Sequence, residues 1–169
     1  MSEISGSLAR RARELRFDFD RSFAAPPRSE TVETADFLAI RVGNEAAALR
    51  LSEITGLYVD KEITRVPGTG VALIGIAGFR GTILPVYSLE GLLGLTMNET
   101  PRWLVVAAGA SVALAFQGFE GHLRIDRVSI LPQQAVEGHF HAHEYVRAHT
   151  LVRPIIDLPS VLRGRPEGI

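Results

Sequence analysis

The sequence predicts an all-β protein with short helices, its β region divided into two halves of similar plan and preceded by one amphipathic helix. Three observations carry this. Short runs rich in Val, Ile and Leu follow one another from Asp36 onward, broken by turn residues. A pattern recurs within the chain. A helical period fills the first residues and stops at Pro26-Pro27.

The helix comes first. Leu8, Ala12, Leu15, Phe19 and Phe23 recur at spacings of 4, 3, 4 and 4, which is one helical face, and Arg10, Arg11, Arg13, Glu14 and Arg16 fill the other. Residues 24–35, rich in Pro, Ser and Thr, read as a linker. Residues 1–35 are therefore expected to form helix and linker, and 36–165 the β domain. The apolar face packs on the chain's own β domain or docks on a partner, or the segment is disordered; the sequence alone leaves these open. Strands are expected at 37–42, 46–51, 54–59, 71–77 and 82–87, with Gly43-Asn44 turning the first hairpin. They continue at 103–108, 112–116, 121–131 and 150–157. Short helices are expected at Leu89–Leu95 and Leu158–Arg163.

The repeat is the best guide to architecture. Phe37-Leu38-Ala39-Ile40-Arg41-Val42-Gly43 matches Trp103-Leu104-Val105-Val106-Ala107-Ala108-Gly109 at an offset of 66. Pro85, Leu89 and Leu93 match Pro154, Leu158 and Leu162 at an offset of 69. Two halves, about 36–100 and 101–165, follow one another. Each is too small to bury a large core alone, so the two are expected to pack together or exchange strands. A groove between such halves is a natural binding site.

Composition narrows the function. A chain of 169 residues buries roughly 70% of its unfolded surface and needs no covalent staples. It has no cysteine, which rules out disulfides, thiolate zinc sites and cysteine nucleophiles and suits a cytoplasmic protein. The net charge of −1 gives no electrostatic reason to expect nucleic acid or anionic lipid. The first residues lack the basic and apolar regions of a signal peptide. The longest apolar runs, such as Trp103 to Ala108, fall far below the ~20 residues that cross a bilayer, so no membrane insertion is expected.

Few residues suggest chemistry. His139, His141 and His143 alternate and would share one side of a strand, a spacing that suits a metal. Their neighbours Gly138, Phe140 and Ala142 provide no acidic support, so a surface loop is the expectation and no metal or other cofactor is assigned. His122 and His149 are isolated. Gly68-Thr69-Gly70 lacks the spacing and lysine of a phosphate loop and reads as a strand connection. No Gly-x-Ser-x-Gly elbow occurs, and Glu53, Asp60, Glu62, Asp126 and Asp157 cannot be paired from sequence. Catalysis has no support.

The most informative stretch is Gly75-Ile76-Ala77-Gly78-Phe79-Arg80-Gly81-Thr82-Ile83-Leu84-Pro85. Glycines permit a tight turn between two apolar strands, and the turn lifts Arg80 out of a greasy hairpin. A lone guanidinium with no acid, base or nucleophile beside it points to recognition. Its bland alternative is an ion pair within the chain.

This stretch resembles the CheW family signature Gly-Val-x-Asn-Leu-Arg-Gly-x-Ile-x-Pro. Phe37-Leu38, Gly43-Asn44-Glu45, Ile54 and Ile63-Thr64-Arg65-Val66-Pro67 resemble the family's earlier motifs, and Thr150 to Leu158 its last strand. The resemblance implies two intertwined five-stranded SH3-like β-barrels. It implies an adaptor between the cytoplasmic tip of a methyl-accepting chemoreceptor and the regulatory domain of a CheA-type histidine kinase, held at the inner face of the membrane through receptor arrays. Carried over by motif, Arg80 and Gly75 lie in the region used for partners, and Ile54 and Ile83 present apolar side chains near the receptor groove. Ser88 replaces the family's Asp, Gln117 stands near its Val-Asp, and Gly78 replaces its Asn. These departures mark a divergent member. A competitor or cap that binds one partner is the alternative within the fold, and a metal- or ligand-binding β-barrel the alternative outside it.

Overall fold

Strand begins at Thr34, where side chains start to alternate between two faces. The computed structural model describes residues 33–67, 72–96, 99–132, 142–148 and 150–164. The expected N-terminal helix, most of the linker, Gly68-Thr69-Gly70, His139, His141 and His149 lie outside the described residues.

The first half contains β1 (Thr34–Val42), β2 (Glu45–Arg50), β3 (Ile54–Val59), β4 (Leu73–Phe79), β5 (Thr82–Ser88) and the one-turn helix α1 (Leu89–Leu92). The second contains β6 (Trp103–Ala107), β7 (Ala113–Phe116), β8 (Gly118–Asp126), β9 (Ile130–Pro132), β10 (Glu144–Ala148), β11 (Leu151–Ile156) and α2 (Leu158–Arg163). Three elements differ from the sequence expectation. The strand expected at 121–131 starts earlier, at Gly118, and is cut by a 3-10 turn at Arg127–Ser129 into β8 and β9. β10 was not anticipated, because its five residues adjoin a histidine-rich stretch with no clear period. The first helix is shorter than Leu89–Leu95, since Gly94 turns the chain at φ +72.

The halves exchange strands. One sheet has the order β8-β1-β2-β11-β10-β9, and the other β3-β6-β7-β5-β4. Each half therefore lends its first hairpin to the other half's strands. Parallel pairs complete both exchanges: β2 with β11 at Ala48↔Ile155, and β5 with β7 at Val86↔Ala113. The three-residue β9 adds a sixth strand to the first sheet; its counterpart in the second is the single bridge Thr64↔Ile76. The second sheet curls onto itself, because Tyr58 on one edge strand and Phe79 on the other bring their rings to 4.9 Å.

Three apolar clusters follow. Phe37, Ala48, Val146 and Ile155 fill the first barrel, and Ala77, Phe79, Leu84, Val86 and Leu104 fill the second. Between the barrels, Leu38, Ile40, Val42 and Ile156 of the first sheet meet Val105, Leu114 and Phe116 of the second and Leu89 of α1. Each helix is capped by the residue before it: Ser88 Oγ accepts from the Gly91 N–H at 3.2 Å, and Asp157 Oδ1 from the Ser160 N–H at 2.8 Å. Serine at position 88 thus does the same capping as its aspartate counterpart.

The chain passes between sheets at Leu51–Glu53 and at Gln117. Both crossings carry polar anchors. Glu53 Oε2 accepts from the Leu158 N–H at 3.0 Å, and Gln117 Oε1 accepts from the Gly43 N–H at 2.9 Å. Glu90 lies beside Gly43, only 1% exposed, and neither of its carboxyl oxygens has an aligned donor among the described residues. Burial pushes its pKa up, more than the nearby Gln117 amide lowers it, and the charge of Glu99 adds to the rise.

A pH dependence results. The folded pKa of Glu90 lies above its unfolded value, so within that window the native state holds a proton the unfolded state has released. This group's contribution to stability therefore falls as pH rises through the window. Glu90→Gln is expected to raise stability at neutral pH and to flatten the decline above the ordinary glutamate range, as read by denaturant titrations at stepped pH.

Candidate functional site

Arg80 and Gly81 form the whole loop between β4 and β5, because Phe79 and Thr82 are already paired. Their φ angles are +48° and +83°, the two positive values that a type I′ hairpin turn requires. Glycine accepts this freely, whereas an L side chain in this region costs about 1–2 kcal/mol. The arginine is thus held in the turn against local preference. Its side chain is exposed and pairs with no carboxylate among the described residues, so the expected alternative of an internal ion pair is not found.

Beside Arg80 lies a groove of about 400 Å³ at the mouth of the second barrel. Thr55, Tyr58, Phe79, Leu84, Val106 and Ala107 line it. Tyr58 and Phe79 meet edge to face at 69°, and the Lys61 ammonium sits 5.6 Å from the Phe79 ring and 5.9 Å from the Tyr58 ring. Next along the chain, Arg102 grips Asp60 through two bonds of 2.9 and 2.7 Å. Those bonds hold the Asp60 carboxyl below the usual aspartate range and fix the loop after β3.

The other candidates fall elsewhere. Gly75 is buried at an irregularity of β4, where a Cβ would come within 2.3 Å of the Thr64 carbonyl oxygen. Close packing of Ile63–Thr64 over the strand is what requires glycine there. Ile54 is half-buried at the start of β3 and packs on the cluster between the barrels. Ile83 is 70% exposed, opposite Gly78, on the other face of β5 from Leu84. Of the four, only Arg80 lines the groove. His143 is exposed, and no three ligating side chains gather to hold a metal among the described residues.

A second groove, of about 280 Å³, runs between the β6–β7 turn and α2 and so lies where the two barrels meet. Glu53, Ala110, Leu158 and Leu162 line it. Burial raises the Glu53 pKa, and the Leu158 N–H bond pulls against that rise. Sequence reasoning missed this wall because its residues come from opposite halves of the chain. It also missed Tyr58, although an aromatic in an otherwise aliphatic strand was a visible signal.

The mouth of the first barrel is closed. Glu120 joins Arg41 on one side and Arg153 Nη2 on the other, the latter at 2.7 Å. Arg153 is 7% exposed, and its Nε and Nη1 have no partner among the described residues. Burial opposes ionisation of Glu120, but the bonds from Arg153 and Arg41 together outweigh it and hold the carboxyl below its ordinary value.

Comparison with known proteins bears on what this geometry serves. The family model for the CheW-like domain matches residues 36–166. The chain is similar to Chemotaxis protein CheW of Helicobacter pylori (strain ATCC 700392 / 26695), 28% identical over 93 residues, covering 53% of this chain and 56% of that protein. It thus spans about half the length of this curated relative. The crystal structure of scaffolding protein TtCheW from Thermoanaerobacter tengcongensis has the same fold, with a TM-score of 0.65 at 20% identity, covering 74% of this chain and 90% of that one.

Two substitutions separate packing from recognition. Gly75→Ala is expected to lower stability by about 2–4 kcal/mol, since backbone must move to admit the methyl group. Arg80→Gly relieves the turn and is expected to raise stability by about 1 kcal/mol. Denaturant midpoints check both.

Proposed function

We propose a function from one established premise: the chain belongs to the CheW-like domain family. The relatives named above support a chemotaxis scaffold or adaptor role. The proposal is that the protein is a non-enzymatic adaptor coupling the cytoplasmic tip of a methyl-accepting chemoreceptor to the regulatory domain of a CheA-type histidine kinase. It would act in the cytoplasm, at the inner face of the membrane through receptor arrays. Among the described residues, no helix is long and apolar enough to cross a membrane.

The observation that carries this reading is Arg80, kept in a costly turn conformation, exposed and without a carboxylate partner among the described residues, beside a groove lined by apolar and hydroxyl side chains. Asp60 also has a left-handed backbone, at φ +50°, but its carboxylate is held by Arg102; strain retained at an exposed side chain with no such partner is a mark of function. A coupling role needs two surfaces, and the described residues offer more than one groove: the mouth of the second barrel, the junction beside α2, and one of about 460 Å³ lined by Lys61, Ile63, Arg65, Ile74 and Glu99. Simultaneous binding there converts receptor state into kinase output as a coupling free energy between sites. Individually modest contacts suffice, because an array supplies avidity.

The test is a three-component assay with the chain, its cognate kinase and a receptor cytoplasmic fragment, following co-assembly and kinase autophosphorylation together. Ternary assembly with receptor-dependent kinase control is the expected result. Binding of one partner alone would mark a competitor or cap. Binding of neither would show that the fold is retained without the role. Arg80→Glu is expected to weaken assembly by more than ~1 kcal/mol with the thermal melt intact.

A further inference from the structure

We infer that the open mouth of the second barrel receives a carboxylate side chain of a partner protein, its charge on Arg80 and a neighbouring apolar side chain against Tyr58 and Leu84. The identity of that partner rests on the adaptor reading; the chemistry of the site rests on the internal repeat. Offsets of 66 and 69 relate the two barrels, so Arg41 corresponds to Ala107 and Arg153 to Leu84. Near the mouth each barrel has a one-residue bulge, the two lying one pairing step apart along the repeat, and the residues left out of the pairing are Glu120 in one and Thr55 in the other. The three residues that close the first mouth thus have the counterparts Ala107, Leu84 and Thr55, and all three line the open groove.

The groove is the space that an Arg–Glu–Arg cluster fills in the other barrel. Its walls are apolar or small, and the cation that lines it is Arg80. Lys61 sits over the Tyr58 and Phe79 rings but lines a separate groove with Ile63, Arg65 and Glu99. Neither cation pairs with a carboxylate among the described residues, nor do the exposed Arg65, Arg147 and Arg163, whereas Arg41, Arg50, Arg102, Arg124, Arg127 and Arg153 all do; among the unpaired arginines Arg80 is the one that lines this groove. The first mouth supplies its own acid. The second presents the cation and the apolar wall, so the acid comes from outside. A guanidinium beside aromatic faces suits a carboxylate approaching along a flat surface. A purely apolar anchor would leave Arg80 desolvated and unmatched.

The test has two arms on the full chain. In the first, the cognate kinase regulatory domain and the receptor fragment are each titrated against wild type, Arg80→Lys and Arg80→Met. The inference expects Arg80→Met to weaken one of them by about tenfold or more, Arg80→Lys by less, and the wild-type affinity to fall with added salt. Full affinity of Arg80→Met, or an affinity indifferent to salt, overturns it. The second arm decides when neither partner binds wild type, which sinks the adaptor reading without touching the site. Backbone amide NMR then follows titration with the peptide N-acetyl-Leu-Glu-Leu-amide and its Gln counterpart. Saturable shifts at Tyr58, Arg80 and Val106 with the Glu peptide alone support the site. No shifts, equal shifts with both peptides, or shifts confined to Arg41 and Glu120 overturn it.

Discussion

Each half of this chain makes sheet that it cannot complete. The β1–β2 hairpin has apolar side chains on both faces: Leu38, Ile40 and Val42 on one, Phe37 and Ala48 on the other. A hairpin alone buries neither. Strands of the second half cover the Phe37 face, and the opposite barrel covers the other. Burying a large aliphatic or aromatic side chain fully is worth roughly 1.5–3 kcal/mol, so the clusters that the exchange creates dominate the stability of both barrels. The capped helices, the polar crossings and the shape of both grooves are consequences of that exchange.

The exchange produces two barrels of one plan, and substitutions make them unlike. A repeat gives two equivalent mouths, yet one is filled by a cluster of opposite charges and the other is left open. An internal duplication thereby yields a protein with distinct ends. The energetics are unequal as well. Arg153 has buried donors that no described residue satisfies, a real cost. The open mouth has a strained arginine instead. In both places local stability is lower than the fold would allow, which is where specialised surface is expected.

Much of this was legible in the sequence. The repeat announced two halves and allowed for strand exchange, because Phe37–Gly43 and Trp103–Gly109 share a period that the structure turns into equivalent strands. The Phe-Arg-Gly turn announced an exposed arginine, since two central residues of positive φ leave few alternatives. What the sequence hid depends on contacts between distant residues. Nothing near Gly75 signals that Thr64 lies across it. Ile54 and Ile83 look alike in a strand pattern, and only pairing shows that one faces the core and the other faces water. Glu120, Arg41 and Arg153 are far apart in the chain and meet only because β8 and β11 both join the first sheet. Residues 121–131 looked like one strand because a 3-10 turn leaves the apolar spacing almost unbroken.

The topology also fixes an order of events during synthesis. Phe37 of β1 waits for Leu123 of β8, and Ala48 of β2 waits for Ile155 of β11, the last of the described strands. Pairings this remote in sequence form slowly. The first hairpin therefore leaves the ribosome with both edges bare and stays so until nearly all of the second half has followed. The second barrel can close earlier, since all its strands lie between Ile54 and Phe116. The barrel that bears the open groove is thus the earlier template, and the plugged barrel is the one assembled around the oldest segment last.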